Sequence, residues 1–209
     1  MKKNPTKDSI VEAAIALFNT KGYNGTSIRD IAGLANVNIA NISYYFNGKQ
    51  GLLEYCYIHF FEAYIALLEK VFRQNDTSPT VKLKNCIEGI ISFQCQNPQL
   101  TRFVLREVSI DSQVVREIMS TYSVKEKYIF TKIIEEGIAR KEFNRISIPY
   151  SIIQIKGFLS MPFIHSYYLK EVLHVFLHED YFQKKYVQEI NKWIDEIICT
   201  YKKELYTIN

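Results

Sequence analysis

Bond-breaking chemistry needs reactive side chains at set spacings, and this chain offers few. Serines, histidines and acids are present without a nucleophile elbow, a phosphate-binding glycine loop or a paired-histidine metal motif, so no catalytic set is assigned and the chain is read as a non-enzyme. His174 and His178 stand at i and i+4, yet only Glu179 or Asp180 lies near enough in sequence to add a third ligand; surface or interface histidines are expected, with no metal and no cofactor. Cys56, Cys86, Cys95 and Cys199 are scattered, without the close pairs that hold zinc or exchange thiols, and read as four reduced thiols. The patterned polar stretch is instead Gly25 to Lys49, where amides, hydroxyls, three consecutive aromatics and a lysine follow one another.

Those groups need elements to hold them. Ile10, Ala14, Leu17 and Phe18 form one helical stripe that Gly22 ends. A short helix follows from Ser27 to Leu34, capped by Thr26 or Ser27, with Asp30 completing a variant capping box. A third starts near Asn38 and ends before Asn47-Gly48. Ile28, Ile31, Ala32, Val37 and Ile42 can form the apolar seam between the two short helices, and Asn36 tolerates the left-handed conformation their turn demands. The outer face of 38–45 is then free to enter a DNA major groove.

Composition agrees with a packed protein: 47% of the 209 residues are hydrophobic and 23% charged, which argues against disorder. The formal net charge is +4, of which residues 1–50 contribute +3 from six bases and three acids. The N-terminal part is thus the better candidate for meeting phosphate. Its basic start has no apolar stretch behind it, and the uncharged run Gly157 to Leu169 is too short and too polar to span a bilayer, so a cytoplasmic, nucleoid-associated location is expected.

The segment Gly25 to Lys49, with Tyr44-Tyr45-Phe46 ahead of Lys49, resembles the DNA-binding domain of the TetR family of bacterial regulators, over roughly residues 8 to 55. The resemblance implies that Thr26, Tyr45 and Lys49 contact the DNA backbone, Thr26 through a helix start that favours anions. Ile39, Ala40, Asn41, Ser43 and Tyr44 are the candidates for base edges, Asn41 towards adenine and Ile39 or Ala40 towards a thymine methyl. Asn36, Ser43 and Gly48 depart from the usual pattern, in which glycine, an aromatic and a serine are frequent.

Past residue 50 an all-α chain is expected: a long helix from Lys49 to about Val71, then helices near 80–96, 98–108, 111–121, 123–141 and 149–161, and a last one from Asp180 to about Glu204. Residues 1–50 are read as the helix-turn-helix domain and 51–209 as a larger helical bundle for dimerisation and regulation. A single helix-turn-helix makes few base contacts, so a homodimer on a palindromic double-stranded site is expected, held by a four-helix contact of 149–161 and 180–204. Ile190, Trp193, Ile194, Ile197 and Tyr201 are its candidate interface residues.

Leu100-Thr101-Arg102-Phe103, the run Arg106 to Ser112, the run Arg116 to Tyr122 and the run Lys125 to Phe130 are similar to a forespore-capture DNA-binding protein within that family. That likeness implies a role in sporulation, in chromosome capture and in septum placement through the division protein FtsZ, with Arg102, Arg106, Glu107, Arg116 and Glu117 as an exposed protein-contact set. The wider family implies the alternative, a transcriptional repressor that a small effector in the C-terminal domain releases from DNA.

Overall fold

The computed structural model describes residues 4–110 and 113–200, and every regular element among them is helical. The first three are α1 Pro5–Lys21 and the two short helices α2 Ile28–Ala35 and α3 Ile39–Phe46. Then come α4 Lys49–Phe72, α5 Pro79–Gln96, α6 Pro98–Ile110, α7 Gln113–Ala139, α8 Ile148–Ile164, α9 Ser166–Glu171 and α10 Asp180–Trp193, followed by a π-helical turn, Ile194–Ile198. None of the described helices is long and apolar enough to cross a membrane.

Local chemistry sets the N-terminal boundaries. Asn4 accepts from the Lys7 amide at the start of α1, and Pro5 fills a first-turn position whose missing N–H costs nothing. Gly22 stops α1 at φ 74°. Ser27 and Asp30 cap α2 reciprocally: the Asp30 amide donates to the Ser27 hydroxyl at 3.1 Å, and the Ser27 amide donates back to the Asp30 carboxylate at 2.9 Å.

The contacts divide the chain into two compact units, one taking residues up to 64 together with 96–123, the other 65–95 together with residues from 124 on. The expected boundary at residue 50 therefore falls inside the first unit, near the start of α4. In that unit α6 packs on α1: Phe18 and Phe103 are fully buried and stacked with centroids 5.1 Å apart, and Tyr57 of α4 closes on Phe103 at 6.0 Å. Arg106 finishes the seam by donating to the Phe18 carbonyl at 2.6 Å and the Asn19 carbonyl at 3.1 Å. Both carbonyls lie in the last turn of α1, the negative end of the helix, where a cation is favoured, and the Phe18 carbonyl accepts from the Gly22 amide as well. Arg106 and Glu107 were expected among exposed protein-contact residues; their side chains are only 32% and 15% exposed, because Arg106 is turned inward onto α1. Arg102, Arg116 and Glu117 are exposed as expected.

Two further differences from the sequence reading have physical causes. The break at Tyr122 is absent: Gln113 to Ala139 is one helix, and the Tyr122 ring stacks on Phe61 at 5.5 Å, a tertiary contact that favours continuity where neither Gly nor Pro interrupts. The start expected for the helix over 111–121, at Asp111 and Ser112, lies outside the described residues. The last helix stops at Trp193 rather than near 204. The chain unwinds through the π turn so that Cys199 can form an antiparallel bridge with Phe143, with the Asn144 amide donating to the Ile198 carbonyl and the Thr200 amide to the Glu142 carbonyl, both at 2.8 Å.

That ending also revises the expected dimer residues. Ile190 and Ile194 are 2% and 0% exposed and belong to the core of the second unit. Trp193 sits edge-on against Phe158 of α8 at 5.0 Å, while the Tyr186 hydroxyl donates to the Phe158 carbonyl. Of the five, Ile197 remains half exposed and Tyr201 lies outside the described residues. The other side of α10 is polar, with Lys185 paired to Glu189.

Candidate nucleic-acid interface

α2, the turn at Asn36 and α3 form the recognition pair. Asn36 adopts φ 54°, and its amide with that of Val37 collects the carbonyls of Ala32 and Gly33 at the end of α2. Asn38 then caps α3 by accepting from the Ala40 amide at 2.8 Å. Within α3, Ile42 and Phe46 turn inward at 0% and 5% exposure, joining Ile31 and Ala32 in the seam. The opposite face is open: Tyr44 is 81% exposed, Ile39 is 44% exposed, and Ala40 and Ser43 are exposed beside them. Asn41 is half-buried at the edge of this face. Four of the five base-edge candidates thus share one solvent-facing surface, which the 3.6-residue period requires once Ile42 and Phe46 are fixed inside.

The three candidate backbone residues are placed differently from one another. Thr26 is 2% exposed, and its hydroxyl donates to the Gly22 carbonyl at 2.8 Å, so it builds the α1–α2 turn and has no hydroxyl left for a phosphate. Lys49, at the start of α4, reaches back to the same turn: Nζ donates to the Tyr23 carbonyl at 3.0 Å and the Thr26 carbonyl at 2.9 Å, and lies 4.3 Å from the Tyr23 ring centroid. Tyr45 is half-buried, packs edge-on against Tyr44, and its hydroxyl accepts from the Asn4 side chain at 3.3 Å.

Asn4 and Lys7 are the residues that sequence reasoning missed. Asn4 caps α1 and also touches Tyr45, while Lys7 sits over the Tyr55 ring at 4.0 Å, so the basic N-terminus of α1 is held beside the end of α3 and the start of α4. The Asn4-Pro5 pair was the available signal, since it marks where α1 must begin. Asn47 and Gly48 both take positive φ, 56° and 96°, between α3 and α4. Gly51 follows where a Cβ would collide with the Phe46 carbonyl oxygen, so α4 can approach the end of α3 only with glycine there.

The local electrostatics favour this geometry. The Ser27 hydroxyl and amide, and then Lys21 at 3.6 Å, hold the Asp30 carboxyl below its ordinary value and keep the α2 cap charged. Burial and then Glu54 push the Tyr23 phenol above its ordinary value, so beneath Lys49 it stays a neutral ring. Among the described residues no group of three or more His, Cys, Asp and Glu could hold a metal.

Residues 10–56 match the family model described as bacterial regulatory proteins, tetR family. The chain is 48% identical over 199 residues to a Bacillus subtilis (strain 168) protein named "Probable HTH-type transcriptional regulator YttP", covering 95% of this chain and 96% of that one. The chain belongs to the tetR family of bacterial regulatory proteins. Solved structures of tetR-type fold agree at low identity. The ketosteroid transcriptional regulator KstR2 of Mycobacterium tuberculosis superposes with a TM-score of 0.78 at 12% identity, covering 96% of this chain and 98% of that one. The TetR family transcriptional regulator PfmR of Thermus thermophilus does so with 0.74 at 17%, covering 88% and 96%. Membership of the tetR family makes this chain a transcriptional regulator with a DNA-binding helix-turn-helix.

Proposed function

We propose that this chain is a homodimeric, sequence-specific DNA-binding protein that reads a palindromic site with α3. The observation that carries the reading is the solvent-facing surface of α3, where Ile39, Ala40, Ser43 and Tyr44 stand clear with Asn41 at the edge, over a seam closed by Ile42 and Phe46. Tyr45 grips the backbone, and Lys49, with two of its three donors spent on turn carbonyls, offers the third to a phosphate. Asn41 suits adenine and Ile39 or Ala40 a thymine methyl. Two reading heads about 34 Å apart would meet adjacent major grooves.

The dimer face we assign to α8. Tyr150, Ile153 and Met161 are 71%, 63% and 38% exposed, and at 100° per residue they fall with Gly157 on one stripe. A second copy of the same stripe, crossing where Gly157 carries no side chain, would bury them isologously.

The likeness of residues 100–130 to the forespore-capture protein RefZ supports a role in sporulation, in which DNA position controls FtsZ and the septum. Arg102, Arg116 and Glu117, exposed on α6 and α7, are then the surface for the division protein. Substituting Arg116 or Glu117 should impair division control while DNA affinity stays intact. The second reading, a repressor released by a small effector, is favoured by the likeness to the Bacillus subtilis relative, which is named as a probable transcriptional regulator. A genome-wide map of bound DNA, with Tyr45→Ala as contact control, separates the two. Palindromic sites away from promoters with few transcript changes support the first; promoter sites with derepression on deletion support the second.

A further inference from the structure

The side-chain amide of Asn4 has partners on two helices. Its Oδ1 accepts from the Lys7 amide at 3.3 Å, which caps α1, and its Nδ2 donates to the Tyr45 hydroxyl of α3, also at 3.3 Å. The cap decides which way round the amide lies, because only an oxygen can accept from a first-turn N–H. The NH2 is therefore the group that meets Tyr45.

Asn4 is held in place from both sides. Pro5 confines the residue before it to extended backbone, and Asn4 stands at φ −110°, ψ 97°. Behind it α1 is anchored by Ile10, Ala14 and Phe18, all fully buried, and Lys7 lies over the Tyr55 ring of α4 at 4.0 Å. Tyr45 has less support of its own. It is half-buried, and its ring leans edge-on against Tyr44, which is itself 81% exposed, so the Asn4 bond is what ties its hydroxyl end to the body of the domain.

The polarity of that tether matters as much as its position. A tyrosine hydroxyl has one proton to give and can also accept, whereas a phosphate oxygen only accepts. Because Asn4 donates, the Tyr45 proton stays available for the DNA backbone, and a hydroxyl that accepts one hydrogen bond gives a stronger one in return. A carboxylate in the same place would claim the proton.

We propose that Asn4 is a positioning residue for DNA binding, holding the Tyr45 hydroxyl in place and keeping its proton free for a phosphate. The inference rests on the reading of Tyr45 as a backbone grip and adds the residue that orients it.

The test is a double-mutant cycle, read by fluorescence anisotropy of the full-length protein on one duplex carrying a mapped genomic site at one stated salt, with unfolding midpoints measured alongside. Asn4→Ser keeps a good helix cap, but its shorter side chain does not reach Tyr45. It should keep its midpoint and lose about threefold to tenfold in affinity, the range of one neutral hydrogen bond. In the Tyr45→Phe background, itself weaker than wild type, the same change should cost less than about twofold. Asn4→Asp also caps α1 but draws the hydroxyl proton to itself, so it should lose more affinity with Tyr45 present than in the Tyr45→Phe background; the repulsion its charge adds is common to both and cancels. An equal loss for Asn4→Ser in the two backgrounds, or no loss in either, overturns the proposal. So does an Asn4→Asp loss that is the same in both, even if the serine variant proves unstable. Full affinity in Tyr45→Phe would remove the grip and this inference with it, whereas a weakened Tyr45→Phe beside a harmless Asn4→Ser removes the inference alone.

Discussion

Replacing Lys49 by methionine keeps the aliphatic stem and removes only the ammonium that ties α4 to the α1–α2 turn. That ammonium makes two hydrogen bonds to carbonyls, at 2.9 and 3.0 Å, and rests 4.3 Å from the Tyr23 ring centroid. A bond involving a charged group contributes about 1.5–3 kcal/mol net, and an exposed cation–π contact about 0.5–1 kcal/mol. Both bonds share one half-solvated group, so the expected loss is about 2 kcal/mol rather than the full sum. For a chain of this length that lowers the unfolding midpoint by about 4–8 °C. Thermal unfolding followed by circular dichroism without DNA reads the clamp, and fluorescence anisotropy of a duplex across a salt series reads the phosphate contact, whose loss should make the salt slope shallower by about one. An unchanged midpoint would refute the clamp, whatever happened to DNA affinity.

Gly51→Ala should cost about 2 kcal/mol or more, because the new methyl meets the Phe46 carbonyl, whereas Gly33→Ala, with open space around it in α2, should leave the melting temperature equal or slightly higher. Ile153→Glu should give a well-folded monomer with weakened DNA binding by light scattering and anisotropy, while Ile194→Glu, at a fully buried position, should lose the fold itself. The Asp30 carboxyl is held below its ordinary value chiefly by Ser27, so its stabilisation is present above the carboxylate range and is lost as pH falls through the lowered folded value. Ser27→Ala should therefore melt below wild type at pH 7, with the gap closing in acid; a gap independent of pH would contradict that cap. Burial pushes the thiols of Cys56 and Cys86 up to about 12, so iodoacetamide at pH 8 should reach them only on unfolding and label the part-exposed Cys199 first, as peptide mass spectrometry would show.

What the sequence disclosed depended on how far away each partner stands. Ser27, Asp30, Asn36 and Asn38 were legible because each bonds within a few residues, where capping and turn rules apply. Arg106 was misread as exposed because its acceptors, Phe18 and Asn19, lie 88 and 87 positions upstream, and a charged residue among apolar ones has the same pattern whether it faces water or a helix end. Ile190 and Ile194 were expected at a dimer interface for a related reason: a wide apolar stripe shows that something covers it but not whether the cover is the same chain. Lys49 carried a recognisable position without revealing its hold on Tyr23 and Thr26, since nothing local to residue 49 specifies a carbonyl more than twenty residues back. The end of α10 depended on Phe143, whose bridge to Cys199 overrides a helical pattern that continues in the sequence.

The bridge between Phe143 and Cys199 also sets an order of assembly. The first unit has all its residues by position 123, whereas the second closes only when Cys199 and Thr200 reach Phe143 and Glu142. At a synthesis rate of about 5–20 residues per second, roughly 4–15 s separate the two events. During that interval a nascent chain holds a completed α1–α3 and an open body, and chains released by neighbouring ribosomes cannot yet pair through finished second units. A message truncated just before codon 199 would release that state permanently, a reading head without its latch.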